Sequence, residues 1–184
     1  YSKRNGKYEL EHKMETPISS SLYELSLFSA ILFCDNLDVI LIDKMSNQIM
    51  NTVVIDLGID GSCFLETKAK EIFAFTYRDD EIYRIFVFDE DLNKKEEIEY
   101  DNQCGILKAL EVKGNRMVTR DSENELWLWD LSNYKCLKKL YLNDFYESNN
   151  SCHSLIYFEN SNSLICGDNS SIKIIDLNEF QLIN

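Results

Sequence analysis

Short apolar runs, each closed by an aspartate, recur along the chain at a nearly constant spacing. Val39-Ile40-Leu41-Ile42-Asp43, Ile85-Phe86-Val87-Phe88-Asp89, Leu126-Trp127-Leu128-Trp129-Asp130 and Ile172-Lys173-Ile174-Ile175-Asp176 place their aspartates 46, 41 and 46 residues apart. Between these runs lie other short apolar segments bounded by Asn, Asp, Ser and Gly clusters, the pattern of strands and turns. Four groups of four strands emerge. The first covers 21–27, 30–34, 39–42 and 49–55, and the second 63–66, 71–77, 83–88 and 96–100. The third covers 106–112, 116–119, 126–129 and 136–142, and the fourth 154–158, 163–166, 172–175 and 180–183.

Polarity within each group orders its strands. In the third strand Leu126 and Leu128 point one way and Trp127 and Trp129 the other, so both faces are apolar. A strand with one solvated face would alternate apolar with polar. The third strand is therefore expected to be buried on both sides, between two neighbouring sheets. The fourth strand is polar, as in Lys94-Lys95-Glu96-Glu97-Ile98-Glu99-Tyr100. It is expected at the outer edge, where charge discourages edge-to-edge pairing.

A period of about 40–45 residues with four strands per unit is the mark of a β-propeller blade. The expected fold is all-β, with about four consecutive four-stranded antiparallel blades. Blade one is placed at 17–57, blade two at 58–101, blade three at 102–144 and blade four at 145–184. Residues 1–16 are read as the outer strand of a preceding blade, because Tyr8, Leu10, His12 and Met14 alternate over 7–14. The blades resemble WD repeats. The resemblance is carried by Asn115-Arg116-Met117-Val118-Thr119-Arg120-Asp121 running on to Trp129-Asp130, and by Leu164-Ile165-Cys166-Gly167-Asp168 running on to Ile175-Asp176. The Gly-His dipeptide of that family is absent, and only blade three keeps the tryptophan. The resemblance implies a non-catalytic scaffold for protein partners. A slice of a larger ring is the expected arrangement; closure of a small ring by 7–14 beside the last blade is the other.

Charge and chemistry then narrow the function. The chain has 184 residues and a net charge of −13, which disfavours direct contact with nucleic-acid phosphates or anionic membranes. It favours basic protein segments. Propeller topology puts the turns between second and third strands on one rim with the connections between blades. That rim carries fourteen acids against Arg78 and Arg120; the opposite rim carries ten acids against eight bases. Asp79, Asp80, Glu81, Asp121 and Glu123 are candidate contacts for a basic segment. Asp144, Phe145, Tyr146 and Glu147 join them, on the longest connection between two blades, where binding residues concentrate. The second reading is a structural subunit of a large multiprotein assembly, its open blade faces covered by another chain.

No catalytic, cofactor or metal site is expected. His12 and His153 are the two histidines, and neither has a ligand spacing. Cys152 and His153 are neighbours on an expected strand entry, where adjacent side chains diverge. The acids of 79–81 and of Asp89-Glu90-Asp91 lack the spacing of a calcium loop and read as solvated turns. No phosphate-binding loop or nucleophile-elbow motif occurs. The six cysteines, at 34, 63, 104, 136, 152 and 166, have no CxxC spacing. They read mostly as small buried hydrophobes in a reducing compartment, cytoplasmic or nuclear.

Overall fold

The computed structural model describes residues 2–4, 7–9, 19–24, 29–34, 38–43, 48–54, 63–77, 83–100, 104–142, 154–167 and 172–183. Side chains are described from residue 63 onward, apart from 76 and 77. The chain forms two compact units, Tyr1–Ile59 and Asp60–Asn184.

The first unit holds a hairpin of β1 (Ser2–Arg4) with β2 (Lys7–Glu9), so part of the strand expected over 7–14 pairs with residues immediately before it. It also holds an antiparallel sheet of β3 (Ser19–Glu24), β4 (Ser29–Cys34), β5 (Asp38–Asp43) and β6 (Gln48–Val54), paired in chain order.

The second unit holds three four-stranded sheets, each again paired in chain order. Blade two is β7 (Cys63–Glu66), β8 (Ile72–Tyr77), β9 (Tyr83–Phe88) and β10 (Lys94–Tyr100). Blade three is β11 (Ile106–Val112), β12 (Arg116–Asp121), β13 (Glu125–Asp130) and β14 (Lys135–Tyr141). Blade four is β15 (Ser154–Phe158), β16 (Ser163–Gly167), β17 (Ile172–Asp176) and β18 (Gln181–Ile183). These strands, and the four of the first sheet, start and stop within three residues of the expected positions.

The recurring aspartate has a structural cause. The Asp130 carboxylate accepts the Ser132 N–H at 2.8 Å, Asp176 that of Asn178 at 2.7 Å, and Asp89 that of Asp91 at 3.0 Å. Each closes an Asx turn that reverses the chain into the fourth strand. The turn then needs one left-handed residue, supplied by Leu92, Tyr134 and Phe180 at φ 64°, 55° and 55°. The hairpins between first and second strands repeat in the same way. Asn115 and Asn162 are left-handed, and their carbonyls accept the N–H groups of Leu131 and Leu177, both at 3.0 Å.

Each inter-blade core is built from alternate residues of facing sheets. Between blades two and three lie Phe73, Phe75, Tyr83, Ile85, Val87 and Tyr100 against Ala109, Met117, Trp127 and Trp129. The two indoles stack at 5.7 Å with 11° between planes, and Tyr100 stands edge-on to both. Such ring pairs add about 0.5–1.5 kcal/mol each beyond area burial. Trp129 Nε1 donates to Thr119 Oγ1 at 2.9 Å, pinning the indole of β13 to the neighbouring strand β12. Between blades three and four lie Val112, Val118, Leu126 and Leu128 against Leu155, Leu164, Cys166 and Ile175. Hydrogen bonds stitch both joints on one rim. The Lys68 N–H donates to Glu111, the Tyr134 hydroxyl to Glu71, and the Lys113 N–H to the Tyr157 hydroxyl.

One burial expectation fails. The third strand of blade four is covered on one face only: Ile175 is fully buried, while Ile172 and Ile174 are exposed. Within the second unit no described sheet packs on that second face.

Candidate partner-binding rim

Three antiparallel reversals bring the rim together around residues 121–125. β12 ends at Asp121 and β13 begins at Glu125. The Ser122 N–H bonds the Gly105 carbonyl at 3.0 Å, tying the entry of the innermost strand to this turn. The Leu142 N–H bonds the Asn124 carbonyl at 3.1 Å, so the long connection to blade four leaves from the same place. Asn124 is left-handed, at φ 64°, a conformation Asn tolerates at low cost.

Within this turn the acids play different parts. Asp121 is 1% exposed. Its Oδ1 accepts the N–H groups of Glu123 at 3.0 Å and Glu125 at 2.8 Å, and its Oδ2 faces Trp127 Nε1 at 3.3 Å. Asp121 therefore fixes the turn from inside. Glu123 is exposed, and Glu125 is half-buried. Desolvation, and then the negative charge of Asp121, raise the Glu125 carboxyl above its ordinary range; Lys139 opposes them. Arg120 is buried and donates to Asn124 Oδ1 at 3.1 Å. Burial pushes the nearby Cys104 thiol up to about 11, and the Glu123 carboxylate adds to it. That thiol is a packed hydrophobe rather than a nucleophile at neutral pH.

Of the candidate contacts named from the sequence, Asp121 and Glu123 are described, joined by the bond from the Glu123 N–H to Asp121 Oδ1. Asp79, Asp80, Glu81, Asp144, Phe145, Tyr146 and Glu147 lie outside the described residues, as do His12 and His153. Asp89 is described and serves its turn, bonding the Asn93 N–H at 2.8 Å as well as that of Asp91. Two features escaped the sequence reading. Lys139 Nζ sits 3.5 Å from the Trp127 ring centroid and roofs the indole pair. Glu71 gathers Lys95 and the Tyr134 hydroxyl at the joint of blades two and three. Both depend on strand register, which spacing along one strand does not reveal.

A scan against protein-family models and a search of curated proteins return no match. Among solved structures, the chain is similar to the β-propeller domain of Cps50 (Swd1) from Myceliophteria thermophila, with a TM-score of 0.72. The fold is a β-propeller. The likeness covers 96% of this chain and 57% of that one, at 10% identity. The chain thus spans just over half the length of the propeller domain it matches. At that identity the likeness concerns the fold. The propeller's blades here are the four four-stranded sheets in chain order, and the turn at 121–125 is a second-to-third-strand turn of blade three.

Proposed function

We propose that this propeller is a non-catalytic protein–protein interaction scaffold that docks a basic segment on its acidic rim. The observation that carries the reading is the turn at 121–125, where Glu123 is exposed and the half-buried Glu125 is held above its ordinary range first by desolvation and then by the charge of Asp121. A Lys or Arg side chain arriving there relieves that repulsion. The connection leaving beside the turn leads to Asp144, Phe145, Tyr146 and Glu147, which supply further charge and the aromatic anchor that several weak ion pairs need. The cysteine usage, with Cys63, Cys104, Cys136 and Cys166 all thiols, supports a reducing compartment, which we take to be the cytoplasm or nucleus.

The test is binding of a fluorescent Lys/Arg-rich peptide, followed by anisotropy at two salt concentrations. Affinity should fall steeply as salt shortens the screening length. Exchanging Asp79, Asp80 and Glu81 for lysine removes three pairs worth about 0.2–1 kcal/mol each, hence roughly 3- to 150-fold in Kd. Binding that ignores both salt and charge reversal, or no binding at all, contradicts the reading.

A further inference from the structure

Lys139 folds back onto a ring of its own sheet. It pairs directly with Trp127 across β13 and β14, and its Nζ stands 3.5 Å from the Trp127 ring centroid. Lys94 shows the looser alternative, 5.4 Å from the Phe86 ring with its ammonium turned to Glu97.

The indole under Lys139 is set up to attract a cation. Its N–H donates to Asp121 Oδ2 at 3.3 Å and to the Glu125 carboxylate. Anionic acceptors at the ring edge polarise the N–H and push electron density onto the π face, where a cation is held. Tyr141, two residues along β14, points the same way as Lys139, pairs with Glu125 and is 41% exposed. Trp127 is thus the floor of a cation seat, Glu125 and Tyr141 are its walls, and Lys139 fills it.

The occupant is replaceable. A cation over a ring at an exposed site gains only about 2- to 5-fold in its equilibrium constant, and Lys139 is exposed. The surroundings stay negative with the seat filled, because Asp121, Glu123 and Glu125 stand against Lys139 and the buried Arg120. A second cation is therefore drawn to a place that one already holds. That place lies at the start of β13, beside the turn at 121–125.

Chemistry chooses the incoming cation. A lysine ammonium would exchange like for like with Lys139. A guanidinium gains more: it is planar, stacks flat on an indole, sheds water more readily, and bonds a carboxylate through two N–H groups. The half-buried Glu125 supplies that carboxylate.

We infer that the Trp127 face, walled by Glu125, is a seat for an arginine guanidinium, and that Lys139 occupies it until an arginine of a docked segment displaces it. The inference rests on the acidic-rim reading for the segment that brings the arginine.

The experiment uses the 184-residue chain and two small probes, methylguanidinium and methylammonium. The readout is the NMR signal of the Trp127 indole N–H, which Trp129→Phe distinguishes from that of Trp129. Methylguanidinium shifts the signal at lower concentration than methylammonium. Lys139→Ala, its fold verified by far-UV circular dichroism, lowers the half-saturating methylguanidinium concentration about 2- to 5-fold, since the internal competitor is gone. Lys139→Gln moves it the same way. Lys135→Ala removes the same charge from the other end of β14 and leaves it unchanged. Glu125→Gln erases the preference for methylguanidinium. In anisotropy, an Arg-rich peptide binds more tightly than a Lys-rich one of equal charge. An indole signal indifferent to methylguanidinium in folded Lys139→Ala overturns the proposal, as do equal responses to the two probes. Salt-sensitive peptide binding that ignores both Lys139→Ala and Glu125→Gln overturns the seat and leaves the acidic rim standing. A methylguanidinium response with no peptide binding upholds the seat and contradicts the acidic rim.

Discussion

Replacing Asp121 by alanine separates its role inside the turn from its charge on the rim. The substitution strips the acceptor from three donors: the N–H groups of Glu123 and Glu125 and the Trp127 indole. The exposed Glu123 amide regains water readily. Trp127 is 3% exposed, and its side chain also bonds the Glu125 carboxylate, so losing the Asp121 partner costs about 0.5–1.5 kcal/mol there. The Glu125 amide adds about 1 kcal/mol more. Relief of the repulsion felt by Glu125 gives back a few tenths. The net loss is about 1–2 kcal/mol, a sizeable part of the ~5–15 kcal/mol that holds a domain folded. At about 2–4 °C per kcal/mol for a chain of this size, the melting midpoint drops by roughly 2–8 °C. Both tryptophans of the chain lie in β13, so their fluorescence reports on blade three during urea unfolding. Far-UV circular dichroism follows the other blades in parallel. Asp121→Asn keeps one acceptor oxygen and should lose about half as much. A loss below ~0.5 kcal/mol for Asp121→Ala, the size of a plain surface substitution, refutes the assignment of Asp121 to the inside of the turn.

Two further outcomes follow from the same geometry. Thr119→Val keeps the side-chain shape but removes the acceptor of the Trp129 indole, and should cost about 1–3 kcal/mol by urea midpoint. Adding Trp129→Phe to it should cost less than the two separate losses together, because no donor is then left over. Asp130 is held below its ordinary pKa, first by the Ser132 hydroxyl and then by the Ser132 N–H. Its folded pKa lies under its unfolded one, so its contribution is complete above the unfolded value and fades as pH falls through the folded value. The urea midpoint should therefore decline less between pH 5 and pH 3 in Asp130→Asn than in the parent.

How far the sequence reaches is shown by particular residues. The strands were legible because the turn into the fourth strand of blades two, three and four announces itself: an aspartate that bonds its own backbone two residues on. The burial of Trp127 and Trp129 was legible because the two indoles on one face and Leu126 and Leu128 on the other leave the strand apolar on both sides, which needs a sheet against each. The split among the rim acids was not legible. Asp121 and Glu123 look alike in sequence, and only the closing of the 121–125 turn sends one carboxylate inward and leaves the other outside. Nor could the pattern Ile172-Lys173-Ile174-Ile175 say that one of its faces stays open. Burial of a blade depends on its neighbour, and the strand's own composition was the same in either case. Lys139 over Trp127 shows the converse, since a cation reads as solvated until cross-strand pairing places it above a ring.

Three outer strands share an irregularity with a consequence for association under stress. The pairing register slips by one residue near the start of the fourth strand in three sheets, at Met50, Lys95 and Leu137. Each slip breaks the even ladder of donors and acceptors that an incoming strand would copy. β18 shows no such slip against β17. Fibril-like growth by strand addition is thus obstructed along three margins and unhindered along the last. Partial unfolding should recruit other molecules at blade four first, and a charged or proline substitution at Gln181 is the economical place to slow it.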